Sequence, residues 1–131
     1  MGKINWAEKL GWSDEQFDDL RYTGYAYIRQ GKYDIALPLF EALTVLDGST
    51  AYDAQTLGAL YVQLGNPAKA LRFLDIALKI EPGHGPSLVN LAKAFFMLGN
   101  KEEGLKLARI LKKSPDPSIR SVSEALLLAF G

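Results

Sequence analysis

The residue types that perform catalysis or bind metals are few in this sequence, and they form no recognisable constellation. There is no cysteine, and His84 is the single histidine. We therefore interpret His84 as a surface residue of a turn rather than a metal ligand. No GxSxG, glycine-rich phosphate loop or HExxH motif is present. The acidic pairs Asp18-Asp19 and Glu102-Glu103 are adjacent on predicted helices, so they point to different faces. We expect a non-enzymatic binding protein that needs no cofactor and no metal.

Basic residues cluster towards the end of one predicted helix, at Lys106, Arg109, Lys112 and Lys113. Positive charge there interacts favourably with the helix dipole, and no aromatic residues interleave with it as they would in a nucleic-acid track. The whole chain carries 15 basic and 15 acidic residues. We therefore expect no nucleic-acid partner, and an RNA- or DNA-binding repeat protein is kept as an alternative of a different class.

Three kinds of residue recur with a period of 34 along the chain. They are a glycine (Gly31, Gly65, Gly99), an aromatic residue four positions earlier (Tyr27, Tyr61, Phe95) and a small residue three before that (Gly24, Gly58, Ala92). In the second copy, residues 51–82, apolar residues spaced three and four apart predict two helices, separated by Gly65-Asn66-Pro67. The small residues would let the two helices of a pair approach closely.

A 34-residue helix–turn–helix with these residues is the signature of the tetratricopeptide repeat (TPR), which the chain resembles from about residue 18 to 116. The resemblance implies an all-α solenoid of three antiparallel helix pairs, each covering the apolar face of the next. We predict a single TPR domain over residues 1–131, with repeats at about 17–50, 51–84 and 85–116.

Both ends of the chain are predicted to carry extra helices. Residues 3–12 could form a short N-terminal helix, and Ser13 to Gln16 resemble a capping box for the next one. Trp6 and Trp12 lie outside the repeats. They form either a lid over the first repeat or a self-association surface that would make a homodimer.

At the other end, Asp116 and Pro117 are predicted to open a capping helix over residues 117–130. Such a helix would cover the apolar surface that the last repeat of a solenoid exposes. The residues expected to dock on the third repeat are Ile119, Val122, Ala125, Leu126 and Phe130.

In TPR proteins the first helix of each pair lines the concave surface of the solenoid. If Leu20, Gly24 and Tyr27 face the core, an apolar groove with a basic rim remains on the inner side. The predicted groove residues are Arg21, Tyr25, Ile28, Arg29, Tyr52, Gln55, Val62, Val89, Lys93, Phe96 and Met97, and Ala59 and Gln63 share this face. An exposed apolar patch usually marks a binding surface. A protein client, the N-terminal segment or a second copy could fill this one.

The segment LRYTGYAYIRQGKYDIALPLFEALTVLD, residues 20–47, is similar to the first repeat of bacterial type III secretion translocator chaperones. That resemblance implies that the concave face binds a short extended segment of a translocator, with contacts from Arg21, Tyr25 and Ile28. The tail LKKSPDPSIRSVSEALL, residues 111–127, is similar instead to needle-subunit chaperones. A translocator and a needle subunit are thus the two suspected clients, and a generic TPR scaffold or adaptor in a multi-protein complex is the alternative.

The N-terminus has neither a long apolar run nor a cleavage site, and no stretch approaches the roughly 20 apolar residues of a membrane span. We therefore expect a cytoplasmic protein without membrane insertion.

Overall fold

The computed structural model describes residues 11–46 and 50–131, and within these ranges the chain forms seven α-helices and no β-strand. The helices are α1 (Asp14–Arg29), α2 (Tyr33–Val45), α3 (Ala51–Gln63), α4 (Pro67–Ile80), α5 (Gly85–Met97), α6 (Lys101–Leu111) and α7 (Pro117–Phe130). The predicted all-α fold is confirmed. The predicted helix over residues 3–12 lies outside the described residues except at its last two positions.

Polar side chains satisfy the free N–H groups at the starts of several helices. At α1 the predicted capping box is present, because Gln16 Oε1 accepts the Ser13 N–H at 2.8 Å and Ser13 Oγ accepts the Gln16 N–H. Thr50 and Asp53 form a second box at the start of α3. Residues 47–49, between α2 and this second box, lie outside the described residues.

The glycines that recur every 34 residues end the first helix of each pair in the same way. Gly31, Gly65 and Gly99 have φ values of +74°, +78° and +82°, which glycine adopts without steric cost. In each case the residue after the glycine donates its N–H to the carbonyl of the aromatic residue four positions before the glycine, and these bonds measure 2.8–2.9 Å. This arrangement is a Schellman motif, so the period in the sequence reports a repeated helix stop.

Small residues allow the paired helices to pack closely, as expected. A β-carbon at Gly24 would lie 2.6 Å from the Phe40 ring, and one at Gly58 would lie 2.8 Å from Leu74. Both partner side chains are fully buried. The aromatic and aliphatic side chains therefore occupy the space that the glycines leave.

Helix α7 packs against α5 and α6. Val122 and Leu126 are half-buried as predicted, whereas Ala125 is exposed, so the prediction that Ala125 docks on the third repeat is wrong. Ser123 is fully buried instead and donates its hydroxyl to the Ile119 carbonyl at 2.8 Å. A serine whose hydroxyl is hydrogen-bonded within its own helix can therefore take a core position.

The N-terminal segment is described only at Gly11 and Trp12. Trp12 is half-buried, and its ring centroid lies 5.3 Å from that of Phe17. Phe17 in turn belongs to the main core. Trp12 thus covers the first helix pair, while the predicted homodimer through this segment stays a prediction.

Candidate functional site

A cleft of about 340 Å³ lies between α1 and α3 and also touches the start of α2. It is lined by Tyr25, Ile28, Tyr33, Gln55, Thr56, Ala59, Leu60 and Gln63. Three of the predicted groove residues, Tyr25, Ile28 and Gln55, therefore come together here, with Ala59 and Gln63 from the same predicted face. Tyr33, Thr56 and Leu60 were not predicted, because the groove was assigned from helix periodicity alone.

The helices α1 and α3 are joined across this cleft mainly by side chains, whereas α3 and α5 pack directly against each other. Tyr25 Oη and Thr56 Oγ1 are 2.9 Å apart, and the Tyr25 ring meets Phe40 edge-on with centroids 5.1 Å apart. The phenol is thus held from both sides. The width of the cleft depends on such contacts.

An ion pair also links the same two helices. Arg21 donates from Nε and Nη2 to the two carboxylate oxygens of Asp53, at 2.7 and 2.9 Å. It also donates from Nη1 to Asp18 at 2.8 Å. The bond to Asp53 is the main cause that raises the pKa of the Arg21 guanidinium above its ordinary value. Arg21, predicted to be a rim residue that binds a client, is therefore half-buried and engaged in holding α1 against α3.

The cleft itself carries no formal charge, because its lining consists of tyrosine, isoleucine, leucine, alanine, threonine and glutamine. The amides of Gln55 and Gln63 can donate and accept hydrogen bonds, while Ile28 and Leu60 supply apolar surface. Such a lining suits an uncharged segment of polypeptide, whose apolar side chain would be buried and whose backbone would be hydrogen-bonded.

The other predicted groove residues do not line this cleft. In α3, Tyr52 is exposed and Val62 is half-buried against the core. In α1, Arg29 is exposed, with its guanidinium 5.9 Å from the centre of the Tyr22 ring. Its charge is thus directed to the outer surface of α1 rather than into the cleft.

The predicted groove residues of the third repeat differ in how exposed they are. Val89 is only 7% exposed, so the prediction that it forms part of an open groove is wrong. Lys93 is half-buried and Met97 is exposed. Phe96 is half-buried because Phe130 of α7 stacks on it, with ring centroids 4.2 Å apart and planes 7° apart. Phe130 therefore docks on the third repeat as predicted, 34 residues after Phe96.

His84, interpreted from the sequence as a surface residue, is buried with 2% of its surface exposed. Its Nδ1 lies 2.6 Å from Ser87 Oγ, and its ring meets the Tyr52 ring edge-on with centroids 4.4 Å apart. The surface interpretation is therefore wrong. The two flanking glycines indicate a turn, but the imidazole folds beneath Tyr52 and supports that exposed ring.

Among residues 11–46 and 50–131, no set of three or more histidine, aspartate or glutamate side chains is arranged to hold a metal ion. In that same portion of the chain, no helix combines the length and apolar character needed to cross a membrane.

Known structures with a similar fold are found among secretion chaperones. PcrH from Pseudomonas aeruginosa is 24% identical, with a TM-score of 0.77 over 90% of this chain and 93% of PcrH. A type III secretion complex from Aeromonas hydrophila is 22% identical, with a TM-score of 0.80 over 98% of this chain and 87% of that one. The translocator chaperone SycD from Yersinia enterocolitica is 22% identical, with a TM-score of 0.75 over 98% of each chain. These similarities establish the solenoid fold.

No curated protein sequence matches the chain. A family model described as the tetratricopeptide repeat matches residues 61–126, about half of the chain. The repeated glycine stops, the close helix pairs and this match agree, and the chain belongs to the tetratricopeptide repeat family.

Proposed function

We propose that this protein is a type III secretion chaperone that holds an apolar segment of a secreted client in the cleft between α1 and α3. The observation that carries the proposal is the open, uncharged cleft in a fold shared with secretion chaperones. One of them, PcrH, has been solved in complex with the chaperone binding region of PopD. We infer a client of the same kind, a translocator or a needle subunit, held in the bacterial cytoplasm before export.

The mechanism is burial of apolar surface that would otherwise drive the client to aggregate or assemble. An extended client segment would place one side chain against Ile28 and Leu60, where transfer from water is favourable. Gln55 and Gln63 would hydrogen-bond its backbone, as an extended peptide requires. The phenol of Tyr25, held by Thr56, gives the cleft a fixed wall on the α1 side.

The proposal is tested by co-expressing the protein with a translocator or a needle subunit from its own host. A soluble complex that survives purification is expected with one of them. If each client stays insoluble with or without this protein, the chaperone function is refuted. A generic scaffold would give that negative result and yet bind other folded proteins.

The cleft is tested with the variant Ala59→Arg, which adds a long charged side chain to its uncharged lining. Ala68→Arg is the matched control, because Ala68 is an exposed residue of α4 that does not line the cleft. We expect Ala59→Arg to weaken client binding at least about tenfold, since an unpaired charge would have to be desolvated. Equal binding by the two variants would show that the client sits elsewhere.

A further inference from the structure

The helices of the solenoid form two layers. Helices α3, α5 and α7 contact one another in succession, whereas α4 contacts α3 and α5, and α6 contacts α5 and α7. The second helices of the second and third pairs therefore lie side by side in an outer layer. One face of each is turned away from the core and is exposed.

On this outer side the two helices repeat one pattern of exposed residues, in which an isoleucine lies between two basic side chains. In α4 the isoleucine is Ile76 and in α6 it is Ile110, and they are 38% and 67% exposed. A basic residue precedes each isoleucine by four positions and another follows it by three, so the three point to one side of the helix. We call this surface the outer basic face, and it consists of Arg72, Ile76, Lys79, Lys106, Ile110 and Lys113.

Positive charge dominates the outer basic face. From residue 104 to 115 the chain has four basic residues and no acidic one, and the acidic residues of α6 lie in its first turn. Arg72, Lys106 and Lys113 form no ion pair with any residue in the described part of the chain, while Lys79 pairs with the exposed Asp75 at 2.9 Å. The helix dipole favours basic residues in a last turn, but Arg72 and Lys106 lie more than a turn before their helices end. The face is thus suited to an anionic partner.

We propose that the outer basic face binds the surface of a lipid bilayer that contains anionic phospholipids, without crossing it. The long stems of lysine and arginine let their charges reach lipid phosphates, while Ile76 and Ile110 enter the boundary between headgroups and acyl chains. The isoleucines favour a bilayer over nucleic acid, whose bases are bound by stacking on aromatic rings. They also favour it over a protein, because each isoleucine stands between charges and forms no pocket for an anchor residue.

Co-sedimentation of the full chain with lipid vesicles tests the proposal. Vesicles of phosphatidylcholine alone carry no net charge, whereas an equal mixture with phosphatidylglycerol is anionic. At low salt the wild type is expected to bind the mixed vesicles and not the neutral ones. Raising the salt concentration to about 0.5 M should weaken this binding at least about tenfold, because salt screens the attraction.

A charge reversal tests the basic part of the face. Lys106→Glu should weaken binding to the mixed vesicles about twentyfold or more, since it changes the charge by two units and each unit contributes about fivefold near an anionic surface. Lys32→Glu is the matched control, because it changes the net charge equally at an exposed residue next to α2. The control should weaken binding less than about threefold, since a distant charge is screened.

Ile110→Ser tests the apolar part of the face. Binding should weaken at least about fivefold, because this exposed side chain would no longer be transferred from water into the bilayer. Val45→Ser is the matched control, since Val45 is 66% exposed but belongs to α2, which has no lysine or arginine. Circular dichroism should show unchanged helix content in all four variants.

Three results would overturn the proposal. The first is a wild type that binds the mixed vesicles no better than the neutral ones at low salt. The second is equal binding by Lys106→Glu and Lys32→Glu, which would place the contact elsewhere. The third is a loss of binding in Lys106→Glu without any loss in Ile110→Ser. That result would identify a general site for acidic polymers, such as nucleic acid or an acidic protein, rather than for a bilayer.

Discussion

Replacing Asp53 by alanine tests whether the ion pair between α1 and α3 holds the first helix pair in place. The Asp53 side chain is fully buried, and its carboxylate accepts three hydrogen bonds. Two come from Arg21 and the third from the Thr50 N–H at 3.0 Å. Asp53→Ala removes the buried partner of Arg21, while Asp18, its other carboxylate, has a side chain that is 73% exposed, and it leaves the Thr50 N–H without the Asp53 carboxylate.

The size of the effect follows from burial. Breaking a buried ion pair costs about 3–5 kcal/mol, and loss of a helix cap costs about 1 kcal/mol. Arg21 is still 20% exposed and keeps Asp18, so the lower end applies. We expect a loss of about 3 kcal/mol in the free energy of unfolding, a large part of the roughly 5–15 kcal/mol of a typical domain.

Urea denaturation followed by circular dichroism measures this loss. With a slope of about 1–3 kcal/mol per molar urea, the midpoint should fall by at least about 1 M. Asp18→Ala is the control, because it removes the exposed partner of the same arginine and should cost less than about 1 kcal/mol. If Asp53→Ala costs no more than Asp18→Ala, the ion pair does not stabilise the fold and our assignment of Arg21 is wrong.

Two further predictions concern the helix pairs. Gly58→Ala should lower the free energy of unfolding by about 1–3 kcal/mol, because the new methyl group would lie 2.8 Å from Leu74. Gly83→Ala, with open space at that position, should change it by less than about 0.5 kcal/mol, and equal losses would contradict the close packing. Burial and the hydrogen bond to Glu41 raise the pKa of Tyr61 to about 12. Because that pKa lies above the unfolded value, the stability contributed by the neutral phenol is present below about pH 10 and is lost as the pH rises towards 12. The difference in unfolding free energy between wild type and Tyr61→Phe should shrink across this range, and a constant difference would refute the assigned environment.

The helices and their stops could be predicted from the sequence because their determinants are local. A glycine with positive φ, a capping serine or a proline at the first helical position acts within a few residues of itself. Gly31 and Gly65 end helices for this reason, and Pro67 and Pro117 begin them. The family resemblance added the stacking order, which local signals alone do not give.

The candidate site could be predicted only in part because it depends on contacts between repeats. The 34-residue period treats Val62, Val89 and Tyr52 as positions of one face, yet their burial differs with what packs above them. Arg21 has a charge that suits a rim, but its partner Asp53 lies 32 residues away in the chain. Nothing local to Arg21 indicates that pairing.

The sparse backbone packing between α1 and α3 has a consequence for how the protein unfolds. In a repeat protein, stability is the sum of the helix pairs and of the interfaces between neighbours. The first and second pairs meet mainly where α2 packs on α3, because α1 reaches α3 only through side chains such as Arg21 and Tyr25, whereas the second and third pairs also pack α3 directly against α5. The solenoid therefore has a weak joint next to its cleft. Amide hydrogens of α1 and α2 should exchange before those of α3 to α6, and the opening that exposes them would also admit and release a bound segment.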